Sequence, residues 1–522
     1  MLVKAFSSTV IGIDAQMITV EVNVSFGLPK LFIVGLPDSA IRESEQRVVA
    51  SLVNNSMKMP GSKIVVNLAP ADLRKEGSHY DLPIAVGILA ASGQINSERI
   101  GRYIILGELS LDGSILPIKG ALPIAIEALK DGFEGVILPK ENAREAAVVQ
   151  NIKVYGVENL NQVLDILGSE SPSMEPISIN TREEYFAQAG VFDIDWRDVK
   201  GQEGVKRALE IAVAGSHNVL MIGPPGSGKS MLAARIPTIA PPMTLAEALE
   251  ITKIHSVAGK IGTSGGLLTK RPFRSPHHIV SDVALVGGGS SPTPGEISLA
   301  HNGVLFLDEL PEFSRHALEV LRGPLENHHI NISRAKYSVN YPAHFMLVGA
   351  MNPCPCGYLN HPTKECVCSP SQIERYMGKI SGPLMDRIDL HIEVMPVDIE
   401  AITAVRTGEE SATVRQRTTA ARERQAIRFK NSDTHSNSMM TPQEIERFCV
   451  LDDDSIQLIK SAIERLGLSA RAYDRIIKVA RTIADLSDSQ DIKADHIAEA
   501  ISYRTLDREV WKTKSLSNYG AL

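Results

Sequence analysis

Short apolar runs alternate with helical patterns over the first 165 residues or so. The runs of strand length are 63–68, 103–106 and 135–138, and apolar residues recur with helical spacing over 41–54 and 122–130. Alternation of this kind is typical of a domain that mixes strands and helices, so we expect an α+β domain at the start of the chain.

Three domains and one linker follow from the pattern further along. Residues 168–180 contain two prolines, four serines and almost no aliphatic pattern. We therefore place a linker at 168–190, after a first domain over 1–167. Strand-loop-helix units predict an α/β core over 191–397, and the nearly continuous helical pattern after it predicts a helical domain over 398–522.

A phosphate-binding loop follows the first strand of the predicted core. The apolar run 219–222 leads into Gly223-Pro-Pro-Gly-Ser-Gly-Lys229-Ser230, which matches G-x-x-x-x-G-K-[ST] between a strand and a helix. Inward-turned amides bind an oxyanion, Lys229 contacts the β- and γ-phosphates, and the Ser230 hydroxyl binds Mg²⁺. The residues assigned to the nucleotide are Gly223, Pro224, Pro225, Gly226, Ser227, Gly228, Lys229, Ser230 and Met231.

Polar groups end two further core strands. The run Val304–Leu307 is followed by Asp308 and Glu309, and the run Phe345–Ala350 is followed after one residue by Asn352. The carboxyl ends of strands are where α/β sheets bind ligands. Asp308 is predicted to hold Mg²⁺ through a water molecule, and Glu309 to polarise the attacking water as general base. Asn352 either orients that water, contacts the γ-phosphate, or is an ordinary turn residue.

Four of the five cysteines form one cluster directly after Asn352. They occur as two C-x-C pairs, Cys354 with Cys356 and Cys366 with Cys368, separated by nine residues. Four thiolates suit a structural, tetrahedral zinc site. The alternative is a loop of reduced thiols, because zinc knuckles more often have C-x-x-C spacing.

Charge and composition limit the function. The chain has 54 Lys and Arg against 61 Asp and Glu, so the net charge of −7 excludes a uniformly basic nucleic-acid coat. With only 12 Phe, 2 Trp and 11 Tyr, base stacking is not the first hypothesis. The longest apolar stretch, 82–91, is short of the ~20 residues that span a bilayer. No targeting segment is apparent, and we expect a soluble cytoplasmic protein without a membrane partner.

Two local basic features are candidates for contacts with DNA. Alternating apolar residues around Arg334 and Lys336 predict a β-hairpin, whose cations either bind phosphates or protect a solvated edge. The segment 406–430 has seven Lys or Arg against three Glu on one predicted helix. Such a run is either a solvated face or part of a ring surface or subunit contact.

Taken together, these motifs resemble the AAA+ ATPases and, within them, the magnesium-chelatase-like YifB/ComM family. The resemblance also covers 198–202, the insertion 273–300, the segment 381–389 and the helix 468–484. It implies that Gln202 walls the adenine and that Asn352 is the sensor-1 residue. It also implies an arginine finger in trans and a second arginine that senses the γ-phosphate.

We assign the finger to Arg387, although an ion-pair cluster with Asp386 and Asp389 would also explain it. The sensing arginine is either Arg471 or Arg475, and Arg471 is favoured. A finger in trans implies a ring, and the family resemblance implies a homo-hexamer with ATP and Mg²⁺ as ligands.

The first domain resembles the Lon-protease-like domain of the ribosomal-S5-type fold, most clearly over 107–120. In the stretch where such a protease has its serine, Ser78 is one or two places out of register, and the lysine position falls near Leu122. Because nucleophile and base must meet, we expect no proteolysis. The domain is expected to be a scaffold or a module that docks DNA or a partner.

Three functions are compatible with these observations. The family resemblance implies a DNA branch-migration helicase in natural transformation, which would work with recombination proteins. The second hypothesis is a chelatase-type motor that acts on a partner protein for metal insertion. The third, an ATP-dependent protease, is disfavoured by the missing dyad.

Overall fold

A computed structural model describes residues 1–169, 171–188, 190–262, 265–289, 292–334, 337–397, 408–466 and 469–504. The chain divides into two compact units. The first unit consists of Met1–Gln188, Thr244–Thr269 and Pro292–Pro294; the second consists of Ala189–Met243, Lys270–Ser291 and Gly295–Leu522.

The strands are β1 Leu2–Ile11, β2 Asp14–Ser25, β3 Lys30–Val34, β4 Lys63–Ala69, β5 Tyr103–Ile105, β6 Glu108–Leu109, β7 Ile115–Leu116, β8 Gly135–Pro139, β9 Lys153–Val157, β10 Val219–Ile222, β11 Phe273–Arg274, β12 Gly287–Gly288, β13 Thr293–Pro294, β14 Val304–Leu307, β15 His329–Arg334, β16 Tyr337–Pro342, β17 Met346–Met351 and β18 Leu390–Glu393.

The α-helices are α1 Ser39–Asn54, α2 Asp81–Ala91, α3 Ala121–Lys130, α4 Lys140–Ala146, α5 Leu160–Gly168, α6 Thr181–Gln188, α7 Glu203–Gly215, α8 Lys229–Ile239, α9 Leu245–Val257, α10 Asp282–Val286, α11 Glu296–Leu299, α12 Arg315–Val320, α13 Arg322–Asn327, α14 Pro370–Met377, α15 Gly382–Met385, α16 Ser411–Arg428, α17 Pro442–Phe448, α18 Asp453–Leu466, α19 Ala470–Leu486 and α20 Ala494–Ser502. Across the described residues, no helix is both long and apolar enough to cross a membrane.

The first unit is built on a mixed seven-stranded sheet in the order β3-β4-β2-β1-β5-β8-β9. The pairs β1–β2 and β2–β4 are antiparallel and the others are parallel. Successive residues of β5 and β8 point to opposite faces, and each face packs against its own apolar cluster. Helix α2 is buried along its whole length because nearly all its residues are apolar. The predicted strands and helices of this part of the chain are confirmed.

The end of the first unit differs from the predicted linker over 168–190. Residues 181–188 form helix α6, which belongs to this unit. The Ile177 amide donates to the Val154 carbonyl at 2.8 Å, and the Thr181 hydroxyl donates to the Val148 carbonyl at 3.0 Å. These bonds join residues far apart in the sequence, so the local composition that favours a linker does not reveal them.

The segment Thr244–Thr269 also differs from its predicted place in the α/β core. It belongs to the first unit, where its helix α9 packs against α3. The Ser256 hydroxyl donates to the buried carboxylate of Glu145, which also accepts the Leu122 amide at 2.9 Å. Burial raises the pKa of Glu145.

A parallel five-stranded sheet in the order β11-β14-β17-β10-β18 is the frame of the second unit. Strand β10 lies between β17 and β18, and Ile222 is opposite both Met351 and Glu393. The three central strands β14, β17 and β10 are wholly apolar, as parallel strands covered on both faces are. The mixed α/β class predicted for the core is confirmed.

The last part of the second unit, from α16 to α20, is helical as the pattern predicts. The boundary predicted at 397/398 adjoins residues 398–407, which lie outside the described residues. Arginines of the basic helix α16 are held by acids of other helices of the unit. Arg417 pairs with Glu210 at 2.5 Å, and Arg428 pairs with Asp485 at 2.5 Å. These pairs favour a role in packing rather than a face open to DNA.

A buried aspartate connects β18 to helix α19. Asp389 is fully buried; it accepts a 2.7 Å hydrogen bond from Arg475 and a 2.9 Å bond from the Asn218 amide. Burial alone would raise the pKa of Asp389, but Arg475 and His217 hold it well below its usual range. The carboxylate is therefore charged and fully paired at neutral pH.

We predict that Asp389→Ala destabilises the second unit by about 3–5 kcal/mol, because the Arg475 cation and the Asn218 amide lose their buried acceptor. Urea unfolding measures the loss. The matched control is Asp386→Ala, which removes a carboxylate 3.6 Å from the exposed Arg471 and should cost less than about 1 kcal/mol. An equal loss of stability in the two variants would contradict the role of Asp389 as a buried acceptor.

Candidate active site

The phosphate loop turns between β10 and α8. Gly226 and Gly228 have φ of 78° and 90°, in the left-handed region that favours glycine. A Cβ at Gly223 would lie 2.0 Å from the Val394 carbonyl oxygen, so the loop also needs glycine where it passes the end of β18. Helix α8 begins at Lys229 and directs its N-terminus at the loop.

Lys229 is folded onto the loop that precedes it. Its Nζ donates to the carbonyls of Gly223 and Pro224 at 2.7 and 2.9 Å, and lies 3.4 Å from Asn352 Oδ1. Burial lowers the pKa of Lys229, while the Asp308 carboxylate acts in the opposite direction. The structure thus brings the predicted lysine and the predicted polar residue of β17 together.

The two predicted magnesium ligands also meet. The Ser230 hydroxyl donates to Asp308 Oδ2 at 2.7 Å. Both oxygens are the hard donors that Mg²⁺ prefers. The Ser230 hydroxyl would bind the ion directly and the Asp308 carboxylate would hold it through a water molecule, so the pair fits Mg²⁺.

Glu309 and Asn352 line one cavity of about 690 Å³ in the second unit, together with Cys356, Cys368, Arg375 and Lys379. Glu309 has φ of 51°, and its amide donates to Asp308 Oδ1 at 2.9 Å. The backbone at Glu309 is therefore constrained, while its carboxylate is 58% exposed. The position suits a base that acts on a water molecule.

Gln202 and Met231, both assigned to the nucleotide from sequence, have different surroundings in the structure. The Gln202 amide donates to the Ser227 carbonyl at 2.7 Å and to the Met395 carbonyl at 3.0 Å. The Gln202 side chain therefore supports the phosphate loop by bonding to the backbone of the loop. Met231 is half exposed on α8, where it is open to a ligand.

Arg387 is 6% exposed, and its guanidinium is turned into the second unit. It donates to the Glu326 carboxylate and to the Pro383 carbonyl. The alternative cluster with Asp386 and Asp389 is not its arrangement here. To serve as a finger in trans, Arg387 would have to leave Glu326.

The two candidate sensing arginines have different surroundings. Arg475 is bound to the buried Asp389. Arg471 is 66% exposed and lies 3.6 Å from Asp386. Because Arg475 is already engaged by a buried carboxylate, Arg471 is the better candidate for a phosphate.

The four cysteines of the cluster converge, as the zinc hypothesis requires. The sulfurs of Cys354, Cys356, Cys366 and Cys368 all lie within 4.8 Å of one another. Tetrahedral zinc, with Zn–S of about 2.3 Å, places its sulfurs about 3.8 Å apart. The donor set and its spacing therefore fit a structural Zn²⁺.

The cysteine loop packs directly on the phosphate loop. A Cβ at Gly357 would lie 2.5 Å from Pro225 Cδ. Burial acts to raise the pKa of Cys356, but amides of Tyr358 and Val367 donate to its sulfur, and the pKa is lowered to about 6. A thiolate is thus available for a metal near neutral pH.

The candidate DNA hairpin is formed, with β15 and β16 antiparallel and Arg334 opposite Tyr337 at its end. Lys336 lies outside the described residues, and so does the side chain of Arg334. The assignment of both to DNA stays a prediction.

In the first unit, the residues near the expected protease dyad have other partners. The Ser78 hydroxyl donates to the Glu108 carboxylate, and Lys75 donates to the Pro70 carbonyl. Lys119 packs against Gly259, with its Cε 2.9 Å from where a Cβ of that glycine would lie. None of these contacts joins a serine to a lysine.

Two further groups lie near Glu309, and no motif in the sequence points to either of them. Arg375 lines its cavity, and His278 lies 3.4 Å from its carboxylate. Both groups could have been found only from the strand order. It places the segment 273–278 next to the strand that ends at Asp308, and the helix 370–377 beside the same cavity.

This strand order and loop sequence define a phosphate-loop α/β protein. The family model described as "Subunit ChlI of Mg-chelatase" matches residues 20–142. The model described as "Magnesium chelatase, subunit ChlI" matches residues 195–402. A third, for the ChlI C-terminal region, matches 408–504.

Relatives match over nearly the whole chain. YifB of Salmonella typhimurium is 44% identical over 502 residues, 95% of this chain and 96% of its own. "Competence protein ComM" of Haemophilus influenzae is 43% identical over 514 residues, 98% of this chain and 99% of its own. A Lon protease of Solibacter usitatus is 25% identical over 166 residues, 30% of this chain and 20% of its own. The chain belongs to the YifB/ComM family of magnesium-chelatase-like AAA+ proteins.

We predict that the purified protein binds about one Zn²⁺ per chain through its four-cysteine cluster. Cys356→Ser should release most of the metal, because one of four ligands is lost. The control is Cys449→Ala, which should keep the metal because Cys449 is buried next to Met440 and is not one of the four clustered cysteines. Metal analysis by mass spectrometry measures both variants, and equal zinc in wild type and Cys356→Ser would contradict the site.

Proposed function

We propose that this protein is an ATPase whose hydrolysis site is formed by the ends of β10, β14 and β17. The observation that supports it most is that Lys229, Ser230, Asp308 and Asn352 converge at hydrogen-bonding distances. Mg²⁺, held by Ser230 and Asp308, would neutralise charge on the β- and γ-phosphates.

In this proposal, each group of the chain has one task. Lys229 exchanges the loop carbonyls for phosphate oxygens when ATP binds. Glu309 accepts a proton as the water oxygen bonds to the γ-phosphorus and the bond to the bridging oxygen breaks, which leaves ADP and phosphate. Asn352 donates its amide to the γ-phosphate or the water.

Arg387 and Arg471 complete the site in a homo-hexameric ring. Arg387 would release Glu326 and enter the neighbouring subunit's site, where it would stabilise charge on the γ-phosphate. Arg471, exposed on its helix, would contact the γ-phosphate in cis. Hydrolysis in one subunit would then depend on its neighbour.

DNA is the load that the observations favour. A relative of almost equal length carries the name competence protein, and β15–β16 form the hairpin that carries Arg334. We propose a DNA branch-migration helicase acting in natural transformation or recombination, with recombination proteins as partners. Six copies of a few pore cations make a positive channel from an acidic chain. The first unit would be a scaffold or a docking module.

Two alternatives have less support. A chelatase-type motor that acts on a protein partner follows only from the name of the family models. Proteolysis is opposed by the partners of Ser78 and Lys75. Zn²⁺ at the cysteine cluster would be structural and would stiffen the loop beside Asn352.

We predict that Glu309→Gln binds ATP but hydrolyses it about 100- to 10,000-fold more slowly than wild type, because the general base is lost. Lys229→Ala should bind ATP weakly and hydrolyse none. Steady-state phosphate release and fluorescent-nucleotide titration measure both effects. Glu410→Gln, a half-exposed carboxylate paired with Arg197, serves as the control, and full turnover by Glu309→Gln would overturn the assignment.

We also predict that forked or four-way DNA raises the ATPase rate of the wild-type protein, and that branch movement requires ATP. Gel assays of four-way junctions measure the movement. If DNA neither binds nor changes the ATPase rate, the helicase hypothesis is contradicted. A rise in the ATPase rate with a porphyrin-binding partner protein would then favour the chelatase hypothesis.

A further inference from the structure

His278 lies beside the proposed base Glu309. Its Nδ1 is 3.4 Å from Glu309 Oε2. Within the described ranges, it is the one basic side chain within 4.0 Å of that carboxylate. His278 comes from the segment 273–278, to which the hydrolysis mechanism assigns no role.

The segment that carries His278 is held at both ends. Where it leaves β11, the Arg274 guanidinium makes two bonds to the Glu296 carboxylate, at 2.6 and 2.8 Å. Where it enters α10, Asp282 lies 2.7 Å from His316 Nδ1. A bidentate pair restricts both distance and angle, so the loop between these contacts has a defined position.

The chain after Glu309 orients the imidazole itself. The short 3₁₀ turn Leu310–Glu312 leads to Phe313, a buried residue whose ring meets the His278 ring edge to face at 6.4 Å between centroids. The position of His278 is thus set by its own segment and by Phe313, which follows its partner Glu309 in the chain.

Glu309 needs such a partner because only its backbone is otherwise constrained. Its carboxylate is 58% exposed, and a free glutamate side chain samples several rotamers. The His278 imidazole, 3.4 Å from Oε2, restricts the rotamers of the Glu309 side chain, which lines the cavity with Asn352. It leaves Oε1 open to accept a proton from water.

We propose that His278 is the positioning residue of the general base and that it sets the rate of hydrolysis without contributing to ATP affinity. This inference rests on the proposed ATPase function. It assigns a task to the insertion that follows β11, which is to hold Glu309 towards the γ-phosphate side of the site.

His278→Ala should lower kcat about 5- to 30-fold, the effect of freeing one glutamate side chain, with ATP affinity unchanged. His278→Asn should recover most of the loss, because the asparagine amide nitrogen occupies nearly the position of Nδ1. His278→Gln should not recover it, since its longer amide reaches the position of Nε2. His277→Ala, the neighbouring imidazole, should stay within about twofold of wild type.

Phosphate-release kinetics and fluorescent-ATP titration of the full-length variants make the test. A kcat unchanged or raised in His278→Ala, or an equal effect of Asn and Gln, would overturn the role of His278 while the ATPase stands. A further loss when His278→Ala is added to Glu309→Gln would also overturn it. If the wild-type protein hydrolyses no ATP, the proposed function fails and this role fails with it.

Discussion

The candidate active site depends on the order of the strands in the parallel sheet of the second unit. Because β17 lies between β10 and β14, the residues that follow these three strands meet in a row at one edge. Register fixes their heights, with Ile222 opposite Met351 and Leu307 opposite Gly349. The cation of Lys229, the amide of Asn352 and the carboxylate of Asp308 therefore approach one another although up to 123 residues separate them. Without this order, none of the three motifs would have chemical meaning.

Other parts of the second unit support that edge. The cysteine loop touches the phosphate loop where Gly357 passes Pro225. On the other side of β10, the buried Asp389 joins β18 to the helix that carries Arg471. Movement of these C-terminal helices would thus displace β18, the strand beside the phosphate loop. Such a connection is what a motor needs to convert hydrolysis into motion, since interfaces of packed elements shift between discrete arrangements.

Much of this could be predicted from sequence, because local patterns carry local structure. The bounds of β10 and β14 follow from apolar runs, and the phosphate loop from glycine spacing. Long-range pairing could not be predicted. The arginines of α16 look like a basic surface until Glu210 and Asp485 are found opposite them. Arg387 looks available until Glu326 is found beside it. Charge runs show which residue types are present, whereas the tertiary fold decides which of them face an acid.

The Mg²⁺ dependence of ATP turnover tests the central claim most directly, because it examines the meeting of Ser230 and Asp308. The purified chain should hydrolyse ATP in a saturable manner with Mg²⁺ and stop in EDTA. Asp308→Asn, which keeps the size of the side chain but removes its charge, should need far more Mg²⁺ for half-maximal turnover. Hydrolysis that continues in EDTA, or an unchanged Mg²⁺ requirement in Asp308→Asn, would contradict a site built from these strand ends.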